Sequence, residues 1–298
     1  MARPSWWLKF ERAKRHFAEF EAELRKYRNS HPYRAEQVRY RENHRSRWKY
    51  VLRITEQPPA ELALALGDGF HNLRCALDHI ANALVPSDRQ TDAYFPIFLV
   101  DPWATDERGE FIVTDEADRI RFERAVRGMP TKAIAYIMET QPYNRYPDRP
   151  AEYALSSINR LDNADKHRRL ITYGHGLIDV VASVSASGFG IATVARDART
   201  LKPGVLEDGD EIFGDETALP SKPVGAEVDM QIRGTVEVAL RVGHSEWSIP
   251  ASYVIGHSEL IAEIVLERLD QYVTDPGDRY IRDVTRDVPW AQWRAPHT

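Results

Sequence analysis

A chain of 298 residues with 43% hydrophobic and 29% charged residues suits one large globular domain or two modest ones and argues against a disordered protein. Its single cysteine, Cys75, excludes an intrachain disulfide and a cysteine-rich zinc site, and fits a reducing compartment. The formal net charge of −5 hides an asymmetry, since residues 1–56 hold 15 Lys/Arg against 7 Asp/Glu, a net of +8, leaving −13 on the remainder.

A basic end on an acidic body suits an anionic partner, RNA or another nucleic acid first; it equally suits two regions that face each other or are simply solvated. The opening residues hold no apolar run of signal-peptide length, and no run approaches the roughly 20 residues of a membrane span. The expectation is a cytoplasmic bacterial protein with no membrane partner.

The spacing of Trp6, Phe10, Ala13, Phe17, Phe20 and Leu24 predicts a long helix over 6–28 whose aromatic stripe is core or subunit interface. The period then becomes two. Val38, Tyr40, Trp48, Tyr50, Leu52 and Ile54 alternate with Arg39, Arg41, Arg47, Lys49 and Arg53, which predicts a hairpin over 34–54 turning near Asn43-His44. Its outer face is a basic strip, usable for phosphates or for discouraging aggregation. Pro58-Pro59 opens a helix over 60–85 that Pro86-Ser87 ends.

Residues 86–114 read as loop, with Tyr94-Phe95-Pro96-Ile97-Phe98 laid across the core. Helices are expected at 115–128, 131–140 and 150–169, the last with Pro150 in its first turn. From Ile171 the pattern is β, with alternation over 178–184 and 189–193. A long loop follows over 196–225, and a second hairpin turns at Arg233-Gly234. A helix over 258–273 with Ser258 as N-cap closes the pattern, and the tail holding Trp290 and Trp293 is ordered only if those rings dock.

The helix over 60–85 carries the chemistry. Phe70, Leu73, Ala76, Leu77, Ile80, Ala81, Ala83 and Leu84 share one arc, and Asp68, His71, Asn72, Arg74, Cys75, Asp78, His79 and Asn82 fill the other. That polar arc contains no Lys, Glu or Gln. It holds short groups and imidazoles able to exchange protons, so it is expected to pack against something polar. Asn159, Asn163 and His167, spaced i, i+4, i+8, share one flank of the helix over 150–169, and the segment Asp165–Arg169 is expected to meet the polar arc. The plainer alternative for that cluster is cationic capping of a helix C-terminus.

The run Gly67-Asp68-Gly69-Phe70-His71-Asn72-Leu73-Arg74-Cys75-Ala76-Leu77-Asp78-His79, with Asp165-Lys166-His167-Arg168 downstream, resembles a widespread family of uncharacterised bacterial proteins. The Arg74/His79 pair is similar to the Arg-x4–6-His signature of the HEPN superfamily of helical domains. Many of those are metal-independent endoribonucleases, toxins or defence effectors, whose active site forms where two such helices meet in a dimer. The likeness spans residues 60–170, and it departs at Cys75, where HEPN nucleases usually carry a polar residue. It implies a homodimer acting on RNA without cofactor or metal.

In that chemistry an imidazole takes the ribose 2′-hydroxyl proton or protonates the leaving oxygen, and an arginine fork holds the phosphate. His79 is then the acid/base and Arg74 the phosphate clamp. His71 and His167 are secondary candidates, Asp78 orients an imidazole, and Asn72, Asn82, Asp165, Lys166 and Arg168 are substrate-binding. The competing reading makes Arg74–Asp78, an i,i+4 pair, a structural ion pair. A third, metal-binding reading uses His71, Cys75, Asp78, Asp165 and His167, but Arg74 would sit among the ligands and no ligand motif is present. No P-loop, dinucleotide fingerprint or serine-hydrolase elbow occurs.

The fold expected is α+β. A helical core over 1–170 carries the hairpin 34–54, and 171–298 forms an antiparallel β region with a closing C-terminal helix and tail. The functions expected are a HEPN-like ribonuclease or a non-enzymatic interaction protein with a buried polar network.

Overall fold

The computed structural model describes residues 3–42, 45–108, 116–166, 173–186, 189–196, 207–214, 228–241 and 248–277. The class is α+β. Two compact units share the chain: the described residues of one come from Met1–Glu19, Leu64–Ile171 and Val254–Thr298, and those of the other from Phe20–Ala63 and Thr172–Tyr253. The segment of the hairpin, 34–54, belongs to the same unit as the later strands.

Helix α1 (Ser5–Asn29) buries the whole predicted stripe from Trp6 to Leu24. Helix α2 (Ala60–Ala83) begins after Pro58-Pro59, where a proline lacking N–H costs no helical hydrogen bond, and ends before Pro86. Its apolar arc from Phe70 to Leu84 is buried except at Ala83. Prolines punctuate the next elements as well. Pro130 precedes α4 (Thr131–Glu139), Pro142 opens α5 (Pro142–Arg145), and Pro150 opens a 3-10 turn ahead of α6 (Ala154–Lys166). Helix α3 (Ala117–Val126) supplies Phe122, against which the Trp103 ring packs edge-on at 5.1 Å.

In this helical unit α1 and α2 cross at Gly69. A Cβ built there would lie 2.3 Å from Cε1 of Phe17, and the Phe17 ring meets Phe70 edge-on at 5.2 Å. The close approach therefore requires glycine. Ala133, Ile134 and Ile137 of α4, and Leu155, Ile158 and Leu161 of α6, complete this core. The C-terminal α7 (Ala251–Thr274) adds Ala262, Val265, Leu266 and Leu269. Trp7 of α1 donates from Nε1 to Asp270 of α7 at 3.1 Å.

The other unit holds two antiparallel sheets. Strands β1 (Tyr33–Glu42) and β2 (Arg45–Ile54) form the expected hairpin, with Tyr33 opposite Ile54 and Glu42 opposite Arg45. A third strand, β5 (Glu211–Gly214), joins its edge. The region 196–225 was expected to be loop throughout, and β5 corrects that expectation. Its entry is a turn with Gly209 at φ +90°, where Asp208 accepts the Ile54 N–H at 2.8 Å. Arg53 then pairs with Glu36 at 2.6 Å and Asp208 at 3.4 Å, and Lys49 with Glu211 at 3.6 Å. Glu36, by its hydrogen bond first and its charge second, raises the Arg53 pKa. Two cations of the basic strip thus face carboxylates.

The second sheet runs β4 (Phe189–Arg196), β3 (Tyr173–Ala186), β6 (Val228–Arg241), β7 (Ser248–Pro250). The hairpin expected at Arg233-Gly234 is absent, because 228–241 is one strand along β3. Its register shifts between Ile178 and Val181, opposite Thr235 and Arg233. The glycine marks an irregularity inside a strand rather than a turn. Ser258 is likewise not a cap. Helix α7 starts at Ala251, directly after Pro250, so Ser258 is two turns inside and fully buried. The turn at Asn43-His44, the segment His167–Arg169 and the tail with Trp290 and Trp293 lie outside the described residues.

Candidate functional site

Residues four apart on a helix stack in rows. On α2 these rows read His71, Cys75, His79 and, beside it, Arg74, Asp78, Asn82. Each row makes its own connections.

The second row is a clamp. Arg74 donates from Nε to Asp78 Oδ2 at 3.2 Å, and its Nη2 forms an ion pair with Asp78 Oδ1 at 2.9 Å. Its Nη2 also donates to the Phe95 carbonyl at 2.8 Å, while the Phe95 N–H donates to Asp78 Oδ1 at 3.0 Å. The ion pair thereby holds both polar groups of one backbone residue whose ring is fully buried. Arg74 is only 8% exposed, and its Nη1 is buried without an acceptor.

Gln141, fully buried between α4 and α5, continues the fastening. It donates from Nε2 to the Pro96 carbonyl at 2.9 Å and accepts the Phe98 N–H at 2.9 Å. Asn82 donates to the Gln90 carbonyl at 2.6 Å, Arg124 pairs with Asp92, and the Tyr94 hydroxyl donates to the Arg121 carbonyl at 3.2 Å. Burial pushes the Tyr94 pKa up, so its hydroxyl stays protonated as that donor. The expected loop segment 90–98 is therefore fastened at Gln90, Asp92, Tyr94, Phe95, Pro96 and Phe98, of which Phe95 and Pro96 are buried.

The first row meets α6. The His71 ring sits 2.8 Å through Nδ1 from Oδ1 of Asp162, a carboxylate 1% exposed, and Nε2 lies 3.5 Å from Cys75 Sγ. The expected encounter of the two helices was assigned to the Asn159/Asn163/His167 flank, yet the residue that reaches His71 is Asp162. A signal for it existed. Asp162 follows Leu155 and Ile158 at i+7 and i+4, so it is a carboxylate on the apolar stripe, a place where acids occur only with partners. Gln141 carried no comparable signal, because a glutamine before a proline reads as loop.

His79 belongs to a third feature, an open cleft of about 480 Å3 lined by Ser5, Asp78, His79, Asn82, Ala83, Gln90 and Ala93. Of the other candidates, Asn72 is nearly buried and donates to the Asp68 carbonyl one turn back at 2.8 Å, an internal helix contact. Asp165 and Lys166 occupy the last turn of α6. His167 and Arg168 lie outside the described residues. Asp78, expected to orient an imidazole, spends its oxygens on Arg74 and the Phe95 N–H instead.

No family model, curated protein or solved structure matches this chain. Among the described residues no group of three or more His, Cys, Asp or Glu is arranged to hold a metal ion, and no helix is long and apolar enough to cross a membrane. The chemistry of the site rests on its own geometry.

Proposed function

We propose that the chain is a non-enzymatic interaction protein, self-associating through a second copy, in which the Arg74–Asp78 row of α2 is a structural network. The observation that carries this reading is the guanidinium of Arg74, enclosed and committed to Asp78 and the Phe95 carbonyl. A phosphate clamp needs a fork turned toward solvent, and recruiting Arg74 would unfasten the 90–98 segment. The finer architecture, a helical core carrying the hairpin, then a β region and closing helix, belongs to the same proposal, as does a cytoplasmic location.

A second reading is a HEPN-like, metal-independent endoribonuclease of the toxin or defence type, acting as a homodimer on RNA. One observation favours it. His79, half-buried, lines the open cleft together with Asn82, where a substrate reaches it. The experiment is RNA cleavage by the purified full chain with a chelator present. The structural reading expects no cleavage by the wild type at any protein concentration. Chelator-resistant cleavage that His79→Ala lowers by about 10²–10⁴-fold, with the melting temperature unchanged, would overturn it in favour of the nuclease.

A further inference from the structure

The outer face of α7 carries an apolar stripe. Leu260 and Ile264, one turn apart, are 53% and 45% exposed. One turn earlier Gly256 leaves open space, since a Cβ added there would meet no atom within 4 Å. Steps of roughly 100° per residue put these three positions in one arc, with Glu267 inside it and Glu263 at its border. The helix as a whole holds four acids, Glu259, Glu263, Glu267 and Asp270, against one arginine, Arg268. A second copy of this helix laid on the stripe would therefore set acid against acid. The occupant that fits is apolar and basic.

This chain supplies such a segment directly after the helix. Beyond Gly277 come 21 residues, 278–298, which hold Tyr280, Ile281, Val284, Val288, Trp290 and Trp293. Arg279, Arg282, Arg286 and Arg294 stand among them. Gly277, at φ +55°, has the left-handed conformation by which chains leave a helix and change direction. The lengths also match. Leu260 lies about 21 Å back from Thr274 along the helix axis. Trp290 is 13 residues beyond Gly277, a reach of about 20 Å if the segment is helical and about 43 Å if it is extended.

We propose that the C-terminal segment 278–293 folds back along α7 and covers Leu260 and Ile264, so that the partner of this surface is the chain's own tail. The contact is intramolecular and independent of the roles given above to Arg74 and Asp78. Burial of the Trp290 and Trp293 rings against the aliphatic stripe supplies its strength. The arginines of the tail beside Glu263 and Glu267 set its direction, as exposed charge pairs do, while adding little to its strength. With the tail in place, the stripe is closed to other chains.

The test is amide hydrogen exchange of the full chain, read by mass spectrometry and set against a synthetic peptide of residues 278–298. In the wild type the amides of 280–293 should exchange about tenfold more slowly than in the peptide, or slower still. Leu260→Asp with Ile264→Asp, both at exposed positions, should return them to the peptide rate while the amides of α1 keep their protection. A wild-type tail that exchanges at the peptide rate overturns the proposal. So does a protected tail that the double substitution leaves unchanged, because its contact is then elsewhere. Protection that is lost on dilution belongs to a second copy and overturns it too. Should the double variant fail to fold, Glu263→Lys with Glu267→Lys decides: faster tail exchange supports the contact, and unchanged exchange overturns it.

Discussion

Asp78→Ala should lower the melting temperature more than Arg74→Ala does, although the two substitutions break the same pair. Removing Asp78 leaves a guanidinium that is 8% exposed with no counter-charge, and it strips the Phe95 N–H of its acceptor. Removing Arg74 leaves a carboxylate whose side chain is 33% exposed and which water can reach. Breaking a buried pair from one side costs about 3–5 kcal/mol, and discounting for the partial exposure of Asp78 gives about 2–3 kcal/mol for its loss. In a chain of 298 residues that is a shift of about 3–5 °C.

Replacing both with apolar residues of similar volume, Arg74→Met with Asp78→Leu, should cost less than the sum of the single changes, because no charge is then stranded. Thermal unfolding of the four chains checks all three statements. If neither single substitution moves the transition, the pair holds nothing and the structural reading of α2 falls with it.

Gly69→Ala should destabilise the protein even though alanine is the better helix former. By intrinsic propensity the change would gain about 1 kcal/mol in a helix interior. Against that, the new Cβ would lie 2.3, 2.6 and 2.8 Å from three atoms of the Phe17 ring. That ring is 2% exposed and wedged against Phe70, so it has nowhere to go. Overpacking costs about 1–3 kcal/mol at ordinary sites, and a contact this short belongs at the upper end, leaving a net loss of about 2 kcal/mol.

Two companions make the argument decisive. Phe17→Leu should tolerate Gly69→Ala better than the wild type does, a coupling visible in a double-mutant cycle. Gly256→Ala, on α7 with nothing within 4 Å of its Cβ, should stabilise by about 0.5–1 kcal/mol through propensity alone. Glycines on two helices are thus expected to give opposite signs. A stabilising Gly69→Ala would mean that α1 and α2 do not cross where the structure has them.

Much was determined by the sequence by itself, wherever the governing interaction is local. The stripe Trp6 to Leu24, the arc Phe70 to Leu84, the two-residue period of 34–54 and the prolines at 58, 59 and 86 each act within a few residues, so these helices and the hairpin are legible from spacing. The Arg74–Asp78 pair was legible too, being one helical turn apart. Only the tertiary structure decided what those groups serve. The Phe95 backbone lies 17 residues beyond Asp78, and Asp162 lies 91 residues beyond His71. Asp208, which brings β5 to the hairpin, is 154 residues beyond Ile54. The same limit made a hairpin of Arg233-Gly234, whose partner strand is elsewhere, and a cap of Ser258, which packing had buried inside a longer helix. A side chain's options are written in its own chemistry; which of them it uses depends on the acceptor that the fold delivers, and periodicity carries no record of that acceptor.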